Sequence, residues 1–412
     1  MNYFIKNIHI NKLFHLENFD IPIADEKYPH LIITGKNGSG KTVLFNAISD
    51  FVDKIKDRKT LDFLSFSDKL DHWTQRLGLA TNQKEQMEIK NYISNYSEWI
   101  EELYGRVNVQ FNDIGIVLEK YGEHDFVFAF YPAGRKVKMS EPKNPTKPVF
   151  QYRSVKDTAT SQFLNFMSDL KIQEALARNE KQFKDADDIN AWFVSFENLL
   201  KQIYQDDNLK LEFNYKDYSF WICTEGKRFK FTQLSDGFAA ALDIVADLIM
   251  KMQDDNSLTS SYQKEGIVLI DEIETHLHLG LQKVIMPLLT KVFPNIQFII
   301  TTHSPFVLNS MENAVAYDLE HRKPIDDLTN YSYESLAEGY FGVSTESSTV
   351  EMRLRRLQEL LSNNVLTDSD KNEIRQLMVE LDKISEAVSP DLVGEYLRIK
   401  INNVDKIKEI GR

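Results

Sequence analysis

The chain has 412 residues, 42% of them hydrophobic and 11% aromatic, and a formal net charge of −13. This apolar content is ample for a folded core, and the length allows two or three average domains or one composite α/β unit. The negative balance argues against a protein that coats DNA with its whole surface. No apolar run approaches the roughly 18 residues of a membrane-spanning helix. The first residues, Met1 to His9, lack a charged-then-apolar leader pattern, and a lone cysteine, Cys223, excludes both an intrachain disulfide and a cysteine-based zinc site. A cytoplasmic location without membrane contact is the expectation.

The predicted elements begin with alternating strands, Phe4 to Ile10 and Phe19 to Ile23, and an apolar strand at Leu31-Ile32-Ile33. There follows Gly35-Lys36-Asn37-Gly38-Ser39-Gly40-Lys41-Thr42, leading into the helically spaced Val43 to Ile48. This is G-x-x-x-x-G-K-[ST] in its strand–loop–helix setting. Glycines let backbone N–H groups turn inward around phosphate oxygens, and the helix N-terminus adds a positive dipole. Lys41 is placed to reach the β- and γ-phosphates of ATP, and the Thr42 hydroxyl to bind Mg²⁺, with Gly35, Asn37, Gly38, Ser39 and Gly40 forming the cradle.

The spacing then predicts helices from Phe51 to about Tyr104, and strands across Val107 to Val137. A basic, proline-punctuated stretch follows, with Arg135, Lys136, Lys138, Lys143, Lys147, Arg153 and Lys156. It reads either as a solvated loop or as a DNA-binding patch. Two or three helices cover Ser161 to Tyr204, and short strands cover Leu209 to Phe231. Leu234-Ser235-Asp236-Gly237-Phe238 opens a helix reaching Met252, and its free N–H groups make a second anion site. Ser235 as an ordinary N-cap is the plain alternative.

Ile267-Val268-Leu269-Ile270 is a buried strand ending in Asp271-Glu272. Asp271 is the expected Mg²⁺ ligand beside Thr42, and Glu272 the general base for an attacking water. A helix is predicted from Leu277 to Val292, then a buried strand at Gln297 to Ile300 running into Thr301-Thr302-His303-Ser304-Pro305, where His303 can reach the γ-phosphate region. A short helix over Phe306 to Met311 comes next, and the tail from about Ser348 reads as three helices. Apolar runs without alternation imply strands covered on both faces, joined by helical crossovers in a parallel sheet.

In this order the motifs resemble the ATP-binding-cassette (ABC) ATPase heads of the RecF/SMC group. Leu234-Ser235-Asp236-Gly237 looks like the signature Leu-Ser-x-Gly, and His303 like the switch histidine. The resemblance covers about residues 1–345. It implies an α/β P-loop NTPase with a mainly parallel core sheet, an antiparallel β-subdomain, a helical lobe and a short helical C-terminal tail. The implied segments are N-terminal strands and P-loop (1–50), a helical insertion (51–105), strands and basic loop (106–157), a helical lobe with the signature (158–252), carboxylate strand and switch histidine (262–345), and a helical docking tail (346–412). It further implies two heads sandwiching two ATP molecules, with Ser235 and Gly237 of one copy contacting the γ-phosphate held by the other. A glutamine loop is expected, with Gln151 the candidate and Gln110 behind it.

Thr42 and Ser235 are 193 positions apart, an interval without a sustained heptad pattern, which excludes long SMC-type arms. Asp271-Glu272-Ile273-Glu274-Thr275-His276-Leu277-His278 resembles the Asp-Glu-x-Glu-x-x-Leu-His pattern of the OLD family and related bacterial ATPases. A metal site from Glu274, His276 and His278 is weighed and set below a packing or dimer-contact role. The tail's Asp368-Ser369-Asp370 follows Thr367 and reads as a capped helix start, not as the metal site of an OLD-type Toprim nuclease. The chain thus looks most like stand-alone ATPases of Septu, PARIS and retron-associated anti-phage systems, which work with a separate nuclease or toxin. A RecF-like repair ATPase holding DNA through residues 135–156, or a nucleotide-gated scaffold with little turnover, are the alternatives. The apolar stripes Val350 to Leu361 and Leu392 to Ile399 read as packing onto the head or as a docking face for a partner or a second copy.

Overall fold

In a computed structural model, the described residues are 3–23, 29–58, 60–135, 139–147, 154–253, 262–311, 313–325, 333, 335–336, 348–363, 366–383 and 390–410. They fall into two compact units, Met1–Tyr331 and Ser332–Arg412.

The first unit is organised by a six-stranded sheet. In chain order its strands are β3 (His30–Thr34), β5 (Phe126–Tyr131), β9 (Glu265–Ile270), β10 (Ile296–Thr301), β11 (Ala314–Asp318) and β12 (Lys323–Ile325). Across the sheet they run β12-β11-β3-β10-β9-β5, all neighbours parallel except the β11–β12 edge pair. β3, β5 and β10 are buried at every position, as expected of strands covered on both faces. The α/β class with a mainly parallel core sheet is therefore as the sequence implies.

A second sheet is antiparallel: β1 (Ile5–Leu13) pairs with β2 (Leu16–Pro22) and with β4 (Val107–Phe111). Its inward residues Ile8, Ile10, Ile21 and Val109 share one core with Leu31, Ile33, Phe128 and Leu269 of the central sheet. Helix α1 (Lys41–Ile55) contributes Leu44, Phe45, Ile48, Val52 and Ile55 to that core, the i, i+3/i+4 stripe of an amphipathic helix. A hairpin of α2 (Phe66–Leu79) and α3 (Gln83–Tyr104) fills the predicted helical insertion.

One expectation is corrected here. Val107 to Val137 is not all strand, because α4 (Ile114–Gly122) interrupts it. Asp113 caps this helix by accepting from the Ile116 N–H at 3.1 Å, and Val117 and Leu118 form its buried face.

The helical lobe holds α5 (Phe163–Asn179), α6 (Phe183–Tyr204), the antiparallel strands β6 (Lys210–Asn214), β7 (Ser219–Thr224) and β8 (Lys227–Lys230), and α7 (Asp236–Met252). Aromatic stacking binds it together: Trp192 lies over Phe196 and Phe193 over Phe220. After β9 come α8 (Leu279–Val292), then β10, and a single turn α9 (Pro305–Leu308).

Among the described residues, the tail from Ser348 is helical over Ser348–Ser362, Asp368–Leu381, Pro390–Asn402 and Val404–Ile410, four helices where the spacing predicted three. Leu354, Leu357, Leu360 and Leu361 meet Ile374, Leu381, Tyr396 and Ile399 in a core of its own, which accounts for these residues of the two stripes. Thr367 and Asp370 exchange backbone and side-chain hydrogen bonds at 3.2 and 2.9 Å, so the acidic pair starts a helix as read.

Candidate functional site

The topology brings four strand ends to one edge of the central sheet. β3 pairs with β10, β10 with β9, and β9 with β5, all parallel, so the loops after Thr34, Thr301, Ile270 and Tyr131 emerge side by side. Ligands of open α/β sheets bind at such carboxyl ends. The phosphate-type loop, the Asp271-Glu272 pair and His303 each sit on one of these loops.

Gly35 to Thr42 wraps from β3 into α1. Gly35, Gly38 and Gly40 have φ of 141°, 85° and 102°, values open to glycine and strained for other residues. A Cβ on Gly40 would also lie 2.8 Å from Leu16 Cδ1 at the start of β2. Gly40 is the N-cap of α1 and brings no capping side chain, which leaves the helix start to other acceptors. The Lys41 ammonium folds back over the loop, donating to Gly35 O at 2.7 Å and Lys36 O at 3.1 Å. Burial holds its pKa below the ordinary lysine value, against the pull of Glu272, Asp271, Glu274 and Glu320. Asn37 and the Thr42 side chain face solvent, and Ser39 is buried.

Asp271 is fully buried at the end of β9. Its Oδ1 accepts from Thr301 Oγ1 at 2.7 Å, while Oδ2 is buried without a hydrogen-bond partner. The same Thr301 Oγ1 accepts from the Glu272 N–H at 2.7 Å. Glu272 has φ of 46°, left-handed for a residue with a side chain. Such strain persists only where the surroundings impose it, and it gathers at functional sites.

His303 follows β10. Its N–H donates to Glu274 Oε1 at 2.6 Å, and the neighbouring Thr302 Oγ1 donates to Glu274 Oε2 at 2.8 Å. Glu274 thus ties the histidine loop to the carboxylate turn. Burial raises its pKa, partly offset by these hydrogen bonds. The His303 pKa is lowered by burial and then by the Lys41 charge, which favours a neutral ring.

Ser235 and Gly237 lie at the start of α7, against the turn that follows Glu272. Gly237 is so close that a Cβ there would sit 2.7 Å from His276 O. Ser235 is exposed and its side chain makes no cap hydrogen bond, unlike the ordinary N-cap weighed above. His278 caps α8, its Nδ1 accepting from the Leu281 N–H at 3.2 Å, and no metal-competent cluster of His, Cys, Asp and Glu exists among the described residues.

Gln151 lies outside the described residues. Gln110 is in β4, accepting from Asn7 Nδ2 at 3.5 Å in the antiparallel sheet, and so is not on a loop. Of the basic stretch, Lys136, Lys138 and Arg153 lie outside the described residues. Arg135 is buried, not a surface cation, and Lys156 pairs with Asp50 at 3.0 Å. Two functional-looking residues escaped the sequence reading. Arg135 donates to Asp271 O at 3.3 Å and Ile273 O at 3.2 Å, and Glu320, after β11, pairs with Lys36 of the phosphate-type loop at 3.0 Å.

Residues 156–309 match a protein-family model described as "AAA domain, putative AbiEii toxin, Type IV TA system". Over 163 residues the chain is 32% identical to the Septu protein PtuA of Bacillus mycoides (strain KBAB4), covering 37% of this chain and 23% of that one. Over 83 residues it is 45% identical to the "Retron Ec83 probable ATPase" of Escherichia coli, covering 20% of this chain and 15% of that one. The matched stretches therefore span less than a quarter of these relatives' own length. Among solved structures, an SMC head bound to the C-winged helix domain of ScpA overlaps 76% of this chain and 94% of its own, at 14% identity and a TM-score of 0.38, too low to carry an argument. The relatives agree with the resemblance to defence-associated ATPases read from the motifs.

Proposed function

We propose that this protein is a Mg²⁺-dependent ATPase that dimerises or assembles further around ATP and controls a separate effector, a nuclease or toxin, in anti-phage defence. The observation that carries the ATPase reading is the convergence of Lys41, Asp271, Glu272 and His303 on neighbouring carboxyl ends of β3, β9 and β10. The defence role is supported by similarity to a Septu protein and a retron ATPase.

In this reading the Lys41 ammonium exchanges the Gly35 and Lys36 carbonyls for β- and γ-phosphate oxygens. A cation already desolvated loses little further hydration in that exchange. Glu272 accepts a proton from the attacking water. A neutral His303 donates toward the γ-phosphate region. The exposed Ser235 and the N–H groups at the start of α7 are free to meet phosphate bound by a second copy.

Mg²⁺ fits the donor set: Asp271 Oδ2 is a buried carboxylate oxygen without a hydrogen-bond partner, and the Thr42 hydroxyl is exposed. These two would hold it, and the ion would neutralise charge on the phosphates when bound. The DNA reading loses the support of Arg135, whose guanidinium is buried against the Asp271 and Ile273 carbonyls, while Lys156 pairs with Asp50 at the surface.

The assembly part is tested by sedimentation of Glu272→Gln protein with ATP and Mg²⁺. A shift from monomer to dimer or larger is expected, and a monomer at every concentration contradicts it. The control part is tested by co-purifying the product of the adjacent reading frame with and without ATP.

A further inference from the structure

We infer that Arg135 is a positioning residue for Glu272. It clamps the carboxylate turn by its backbone carbonyls. The inference takes its catalytic meaning from the ATPase reading above, but its geometry stands apart from it.

Arg135 stands on the loop after β5, four residues past Tyr131, and is buried. Its two terminal nitrogens reach the carbonyls on either side of Glu272, that of Asp271 at 3.3 Å and that of Ile273 at 3.2 Å. From the opposite side, the Glu272 N–H is held by Thr301 Oγ1 at 2.7 Å. The following peptide is held by the Ile273 N–H, which donates to Thr301 O at 3.2 Å, so Glu272, with φ of 46°, is fixed across both of its peptide units. A left-handed backbone at a glutamate relaxes unless something over-determines it, and these four hydrogen bonds do. A planar fork of donors suits two carbonyls at once, which a lysine cannot match.

The buried guanidinium also needs counter-charge. The carboxylate acting on it most strongly is Asp243, followed by Glu274, Asp271 and Glu272. Asp243 lies two turns into α7, the helix opened by Ser235 and Gly237, and is itself buried. Arg135 and Asp243 act on one another electrostatically, so substitutions at the two are expected to be non-additive.

The test uses the full chain with Arg135→Met, Arg135→Lys, Asp243→Asn and the double variant Arg135→Met/Asp243→Asn. At saturating ATP, Arg135→Met is expected to lose roughly 10- to 100-fold in kcat, while the Kd for ATP measured in EDTA stays within about threefold of wild type. Arg135→Lys falls between, Asp243→Asn loses less, and the double variant is no worse than Arg135→Met. A crystal structure of Arg135→Met is expected to show Glu272 out of the left-handed region. If Arg135→Met does not fold, Arg135→Lys carries both readouts. If wild-type protein turns over no ATP, the function proposed above falls, and the Glu272 backbone in the variant alone decides this inference. Glu272 still at positive φ in a folded Arg135 variant, or a kcat within twofold of wild type, overturns it.

Discussion

The Glu272 N–H donates to Thr301 Oγ1 at 2.7 Å, and the same hydroxyl donates to Asp271 Oδ1 at 2.7 Å. One buried threonine thus holds both carboxylate residues, from a neighbouring strand. Thr301→Val keeps the shape and removes the hydroxyl, leaving a buried N–H and a buried carboxylate oxygen without it. The expected cost is about 2–4 kcal/mol of stability, read from the urea midpoint. ATP turnover should fall at least as steeply as stability, since both carboxylates lose their anchor. A variant with the wild-type midpoint and turnover would show that Thr301 anchors neither.

Gly237 faces His276 O at a distance that admits no Cβ. Gly237→Ala must push α7 from the turn after Glu272, at about 1–3 kcal/mol. Gly78, inside α2, has open space around a built Cβ, so Gly78→Ala should instead stabilise by roughly 0.5–1 kcal/mol. Thermal midpoints of the pair check the contrast. Equal shifts for both would mean that the 2.7 Å approach relaxes without cost.

Burial lowers the pKa of His30 to about 4. The side chain is neutral in the fold, with Nδ1 accepting from the Phe298 N–H at 3.1 Å. A folded pKa below the unfolded value near 6.5 gives stability that is whole above 6.5 and is lost as pH falls toward 4. The linkage is worth up to about 3 kcal/mol. His30→Gln removes the titration, so the stability gap between wild type and variant should narrow from pH 7.5 to pH 5. Parallel pH profiles would contradict this assignment.

The phosphate-type loop was legible because its whole signal lies within eight residues, Gly35 to Thr42. Asp271, Glu272 and His303 were legible because each follows an apolar run that can only be a doubly covered strand. Arg135 was not, because its role depends on β5 lying beside β9, a pairing between residues 126–131 and 265–270 that no local pattern displays. Read along the chain, it joined a run of basic residues; in the fold its side chain is buried against the carboxylate turn. Helix α4 was misread because Ile116 and Val117 are β-branched, and the Asp113 cap outweighed that preference. The tail's stripes were visible, but helical spacing does not say what a stripe meets, and here they meet each other.

Lys41 now donates to two carbonyls of its own loop, so its removal should spare the fold while costing nucleotide affinity. Lys41→Ala is expected to weaken ATP binding by roughly 10- to 100-fold, the worth of a charge-assisted contact. Fluorescent-ATP titration of the folded variant measures it. Unchanged affinity would place the phosphates elsewhere.

The most direct test of the central claim is phosphate release from ATP and Mg²⁺ by purified wild-type, Lys41→Ala and Glu272→Gln proteins. Wild type should turn over ATP, Lys41→Ala should fail for want of binding, and Glu272→Gln should bind ATP yet lose about 10²-fold or more in turnover. A wild-type protein that binds no ATP, or a Glu272→Gln variant that releases phosphate at the wild-type rate, would contradict the account.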